Sequence, residues 1–101
     1  MAIYMSARFR VHRHAIKKCK EAMVELVDYV RANEPRTLVY LAQQEISDPT
    51  RFMSILIFEN ETGLALHRNS PASKKFAETV YPEALEPVEF SEYNVVADRN
   101  Q

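Results

Sequence analysis

Glycine is nearly missing from this chain, with Gly63 its only example. A loop that cradles phosphate through backbone N–H groups needs several, so the common nucleotide-binding folds are excluded. Tryptophan is absent, and cysteine occurs once, at Cys19. A lone thiol forms no internal disulfide, which fits a reducing cytoplasm. No apolar run approaches the ~20 residues of a membrane span. Nothing at the N-terminus has the charged, apolar, small-residue order of a signal peptide. Charge of one sign is lacking too: 13 basic residues face 14 acidic ones, for a net charge of −1. Nucleic acid and membrane surfaces therefore get no electrostatic support as partners. The basic residues between Arg8 and Lys20 read as a solvated strand end and helix face.

What is present is a soluble globular composition, 47% hydrophobic and 27% charged over 101 residues. That length makes one domain, 1–101, with residues 98–101 expected to be a loose tail. IYMSARFR (3–10) alternates Ile3, Met5, Ala7 and Phe9 against polar neighbours, the period of a strand with one apolar face. From Ala15 to about Ala32, apolar residues recur every three or four positions, predicting an amphipathic helix that buries Cys19. It ends near Asn33, because Pro35 disfavours helix at Glu34.

TLVYLAQQEI (37–46) and FMSILIFE (52–59) read as strands joined by the turn SDPTR. The second is apolar on both faces, Phe52, Leu56 and Phe58 against Met53, Ile55 and Ile57. Helices on one side would leave the other face polar, so a second cover is implied, most simply another copy of this chain. Asn60 is placed to cap a short helix, and Ser70-Pro71 forms a cap-and-first-turn pair for a second, ending at Tyr81-Pro82. VEFSEYNVVA (88–97) reads as a final strand. Right-handed crossovers turn this order into a ferredoxin-like α+β fold, a four-stranded antiparallel sheet with helices on one face.

The chemistry is sparse. His12 and His14 lack a third ligand at suitable spacing, so no metal site is predicted. No Ser-His-Asp pattern is visible. Aromatic residues fall on the strands, but the glycine-and-aromatic signature of an RNA-stacking sheet is missing. His67 remains. It follows Leu64 by three residues and can face inward with it, while Phe76, Val80 and Tyr81 of the next helix can close the same apolar space. Such a histidine can serve proton transfer in a pocket. It can equally be a helix-end residue bonded to a backbone carbonyl.

DPTRF (48–52) and FENETGLALHRNSPASKKF (58–76), with EPRTLVY (34–40) before them, resemble the antibiotic biosynthesis monooxygenase family. The resemblance runs over nearly the whole chain in length and order of elements. It implies a dimeric α+β barrel, in which two sheets pack face to face and each subunit holds a pocket between sheet and helices. It further implies cofactor-free oxygenation of an aromatic or quinol-like small molecule, without metal or flavin. His67 falls on the family's commonly found histidine and is expected to be the base or orienting group. Phe58, Phe76 and Tyr81 would line the pocket, and Tyr40 and Asn94 are the expected substrate or oxyanion contacts.

Departures narrow the resemblance. Phe58 stands where tryptophan is common, Leu56 where an acidic residue is, Ala72 at a second histidine position, and Arg36 at the glycine usual after Glu-Pro. Haem-degrading relatives carry Asn, Trp and His at the positions of Ala7, His67 and Ala77, so haem degradation is not expected. Loss of polar family positions keeps two rivals open: a non-catalytic dimeric small-molecule-binding protein, and an interaction module whose pocket is filled by its own side chains.

Overall fold

A computed structural model describes residues 1–100. Strand β1 (Ile3–Arg10) leads through a 3-10 turn (Arg13–Ala15) into α1 (Ile16–Asn33). The antiparallel pair β2 (Thr37–Gln44) and β3 (Arg51–Phe58) follows. Helices α2 (Glu61–Arg68) and α3 (Pro71–Val80), a 3-10 turn (Tyr81–Glu83) and β4 (Glu89–Tyr93) complete the chain. The sheet order is β2-β3-β1-β4 with all neighbours antiparallel, and the helices lie on one face, the ferredoxin-like α+β arrangement expected.

The alternation in β1 does what its period predicts. Ile3, Met5, Ala7 and Phe9 are buried under the helices, as are Phe52, Leu56 and Phe58 of β3. Cys19, Met23, Leu26 and Val30 form the buried stripe of α1. Cys19 is fully buried, and desolvation pushes its thiol up from the ordinary range, the behaviour of a core residue rather than a nucleophile. Phe9 stacks on Phe52 at 5.3 Å and meets Phe76 edge-on at 6.1 Å, joining sheet to α3.

The helix ends follow local chemistry. Asn60 accepts from Gly63 N at 3.0 Å, and Ser70 accepts from Ser73 N at 3.0 Å, so each short helix has its own side-chain cap. Gly63 marks a close approach: a Cβ there would stand 3.0 Å from both the Cβ and the carbonyl oxygen of Arg36. Helix α2 therefore rests almost directly on the chain entering β2.

The last strand is shorter than the 88–97 run expected. Its register sets Tyr93 opposite Tyr4, so Asn94 would face Ile3, the first residue of β1, and Val95–Ala97 have no strand left to pair with. Residues 94–97 are exposed and outside any regular element. The expected tail includes Gln101, which lies outside the described residues; residues 98–100 are exposed.

The opposite sheet face carries an apolar patch. Leu41, 49% exposed, pairs with Ile55, and Val39 pairs with Ile57, with Tyr4 next across the sheet on β1. The basic segment is solvated as expected and partly neutralised: Lys18 lies 2.9 Å and His14 3.5 Å from Glu83.

Candidate active site

A cavity of about 260 Å³ lies between the sheet and the three helices. Its walls are mainly apolar: Met5, Ala7 and Phe9 from β1, Leu56 and Phe58 from β3, and Phe76 from α3. A cavity of ~150 Å³ is enough to hold benzene, so this one has room for a substituted ring. The alternation that builds the core also builds the cavity, since both use the inward face of the sheet.

His67 lies on this wall, carried there by the last turn of α2. Its ring packs between Phe58 and Tyr40, with centroid separations of 5.3 and 5.5 Å. Nδ1 lies 2.8 Å from Glu34 Oε1, and both side chains are buried, 11% and 8% exposed. A carboxylate only accepts, so Nδ1–H donates and Nε2 is left with the free lone pair. Among the described residues Nε2 has no protein partner. The Thr37 hydroxyl donates to the same Glu34 oxygen at 2.8 Å, while Oε2 is buried with no partner. The helix-end alternative, a histidine bonded to a backbone carbonyl, is replaced by a buried histidine–carboxylate pair.

Glu34 is the residue that sequence reasoning missed. It figured only as the position where Pro35 stops α1. That same restriction supplies its role: Glu34 leaves the helix at φ −124° and ψ 75°, which turns its side chain from the α1 surface toward α2. The signal lay in the EPRTLVY segment, where an acid before proline is followed by Thr37, its second hydrogen-bond donor.

Of the other expected site residues, Tyr40, Phe58, Phe76 and Tyr81 all line the cavity with His67. Burial raises the Tyr40 phenol well above its usual range, a hydrogen bond from Ser54 opposing the shift. Tyr40 is thus a neutral hydroxyl, suited to donate to an oxyanion rather than to take a proton. Burial also raises the Tyr81 phenol. Asn94 is not brought to the site. It falls beyond the end of β4, is exposed and is absent from the cavity wall; Phe90, four residues earlier, takes that side of the strand instead. Ser54, Arg68, Ser73 and Lys74 also line the cavity and were not expected. Among the described residues, no group of three or more His, Cys, Asp or Glu is arranged to hold a metal ion.

A ferredoxin-like α+β fold with a cavity between sheet and helices, and a buried histidine–carboxylate pair beside it, defines the class of fold. Residues 2–79 match the antibiotic biosynthesis monooxygenase family model, and the chain belongs to that family. Solved structures agree on the fold. A proposed antibiotic biosynthesis monooxygenase from Bacteroides thetaiotaomicron superposes with a TM-score of 0.89 at 17% identity, covering 97% of this chain and 92% of that one. A similarly described protein from Caulobacter crescentus gives 0.87 at 18% identity, covering 95% and 91%. Another antibiotic biosynthesis monooxygenase gives 0.87 at 20% identity, covering 96% and 100%. No curated protein matches the sequence. No helix is long and apolar enough to cross a membrane.

Proposed function

We propose that the chain is a cofactor-independent monooxygenase acting on a phenolic or hydroquinone-like aromatic in this cavity. The observation that carries the reading is the pair His67–Glu34, which leaves an imidazole nitrogen free beside a neutral phenol in a mainly apolar space. His67 Nε2 takes the phenolic proton, Glu34 holds the imidazolium that forms, and Tyr40 donates to the ring oxyanion. The electron-rich anion passes one electron to O₂, and the radical pair combines at a ring carbon as a hydroperoxide. Loss of water from that C(H)–O–OH unit leaves C=O. One oxygen atom enters the ring, the other leaves as water, and no outside reductant is consumed.

The test is O₂ uptake with a panel of hydroquinones, comparing the wild type with His67→Ala. A general base contributes typically ~10²–10⁴-fold, so the variant should lose at least a hundredfold in rate while still binding the ring. Binding of hydroquinones without uptake by the wild-type protein rejects the enzyme reading and leaves a small-molecule binder.

The reading includes a homodimer formed through the outer sheet face, in the reducing cytoplasm that the buried free thiol of Cys19 fits. Leu41, Ile55 and Ile57 form an apolar patch of the kind that marks an interface. Sedimentation at micromolar concentration should give a dimer, and Ile55→Glu should shift it to monomer. A wild-type monomer under those conditions rejects the assembly.

A further inference from the structure

The cavity wall is chemically lopsided. It includes two side-chain cations, Arg68 and Lys74, and no Asp or Glu. They flank the α2–α3 junction, Arg68 directly after His67 and Lys74 in the first turn of α3. Neither makes an ion pair among the described residues, although neighbours do: Lys75 with Glu25, and Arg36 with Glu59. Between them in sequence, Ser73 lines the same cavity, and its Oγ is buried with no hydrogen-bond partner. A buried hydroxyl without a partner is costly and calls for an acceptor. Two unpaired cations on the wall of one mainly apolar cavity, with an unpartnered hydroxyl between them in sequence, have a common complement, a carboxylate. The net charge of −1 means that this is a local field, not a property of the whole chain.

We propose that the cavity selects an aromatic ligand bearing a carboxylate, whose ring meets His67 and Tyr40 while its carboxylate is held by Arg68 and Lys74 and accepts from Ser73. This rests on the reading that the cavity is the ligand site, and it names the substrate class within it. A hydroxybenzoate fits the three requirements of ring, phenolic hydroxyl and anionic substituent. Arg68 and Lys74 are exposed, so their attraction is solvent-screened. Screened surface charges of this kind make the combined preference roughly tenfold.

The experiment is isothermal titration of the whole chain with two probes of matched ring chemistry, hydroquinone and 2,5-dihydroxybenzoate. The carboxylate probe should bind about tenfold tighter at low salt. The preference should shrink to within about twofold in roughly 1 M salt, where the Debye length is ~3 Å. It should vanish in the double variant Arg68→Gln with Lys74→Gln, read as the ratio of the two probes' affinities within that variant. Ser73→Ala should weaken only the carboxylate probe. Equal wild-type affinities, or a preference that survives the double variant, overturn the proposal and leave the cavity reading intact. Failure of both probes to bind at millimolar concentration overturns the cavity reading and the proposal with it.

Discussion

His67→Ala is expected to destabilise the protein by about 2–3 kcal/mol, the cost of leaving a buried carboxylate without one of its hydrogen-bond donors. The scale is large beside a domain's total of ~5–15 kcal/mol. The cause is the position of Glu34. Its carboxylate is 8% exposed and takes both of its hydrogen bonds on Oε1, from His67 and Thr37, while Oε2 has none. Without the imidazole, one hydroxyl alone compensates a buried charge. The control is the double variant Glu34→Ala with His67→Ala, in which nothing charged is left stranded. It should cost clearly less than the two single changes summed, with a coupling of ~0.5–3 kcal/mol in a urea-unfolding cycle. Strictly additive costs, or a His67→Ala penalty below ~1 kcal/mol, would show that Glu34 is solvated rather than held by the ring. The proposed proton transfer would draw on the same bond as stability, so a rate lost in His67→Ala has to be measured on folded protein.

Phe58→Ala should cost ~3–5 kcal/mol for a different reason. The ring is 1% exposed, packs on His67 and sits between Ile3 and Thr37 in the sheet register. Its loss removes transfer free energy and leaves a void that rigid neighbouring strands cannot close. The void would open onto the existing cavity. Small apolar rings should then bind and recover part of the lost stability by mass action, seen as a rise in the thermal midpoint with benzene present. Phe58→Leu, which keeps most of the volume, should cost under about 1.5 kcal/mol and respond little to benzene. A Phe58→Ala protein with wild-type midpoint would mean that the ring merely borders the cavity and does not support it.

Period was the reliable signal. Alternation in β1 and β3 and the three-to-four spacing in α1 each reported a face, and those faces became core and cavity wall. Caps were equally readable, because Asn60 and Ser70 act on backbone only three residues away. What escaped notice depended on partners distant in sequence. Glu34 meets His67 across 33 positions, and nothing local marks a helix-ending glutamate as buried. The overlong final strand is the same lesson in another form. Asn-Val-Val-Ala has strand chemistry, but a strand ends where its partner ends, and β1 runs out at Ile3. Asn94 was lost from the site for that reason, although its parity was right. Nothing in the sequence separates Arg68 and Lys74 from ordinary helix-surface charges, and only the cavity's position sets them beside a pocket.

The chain's lone glycine connects these observations. Gly63 stands one helical turn before His67, on the same side of α2, and Arg36, which it touches, stands two positions after Glu34. The contact that seats the helix and the bond that holds the imidazole therefore join α2 to the same stretch of chain, one helical turn apart. The missing methyl group acts as a shim of zero thickness. A Cβ at position 63 would require Arg36 or α2 to give by a few tenths of an ångström, and any shift of α2 would bear on the 2.8 Å contact between His67 and Glu34. The position of the His67 ring is thus gauged from a residue that never enters the pocket.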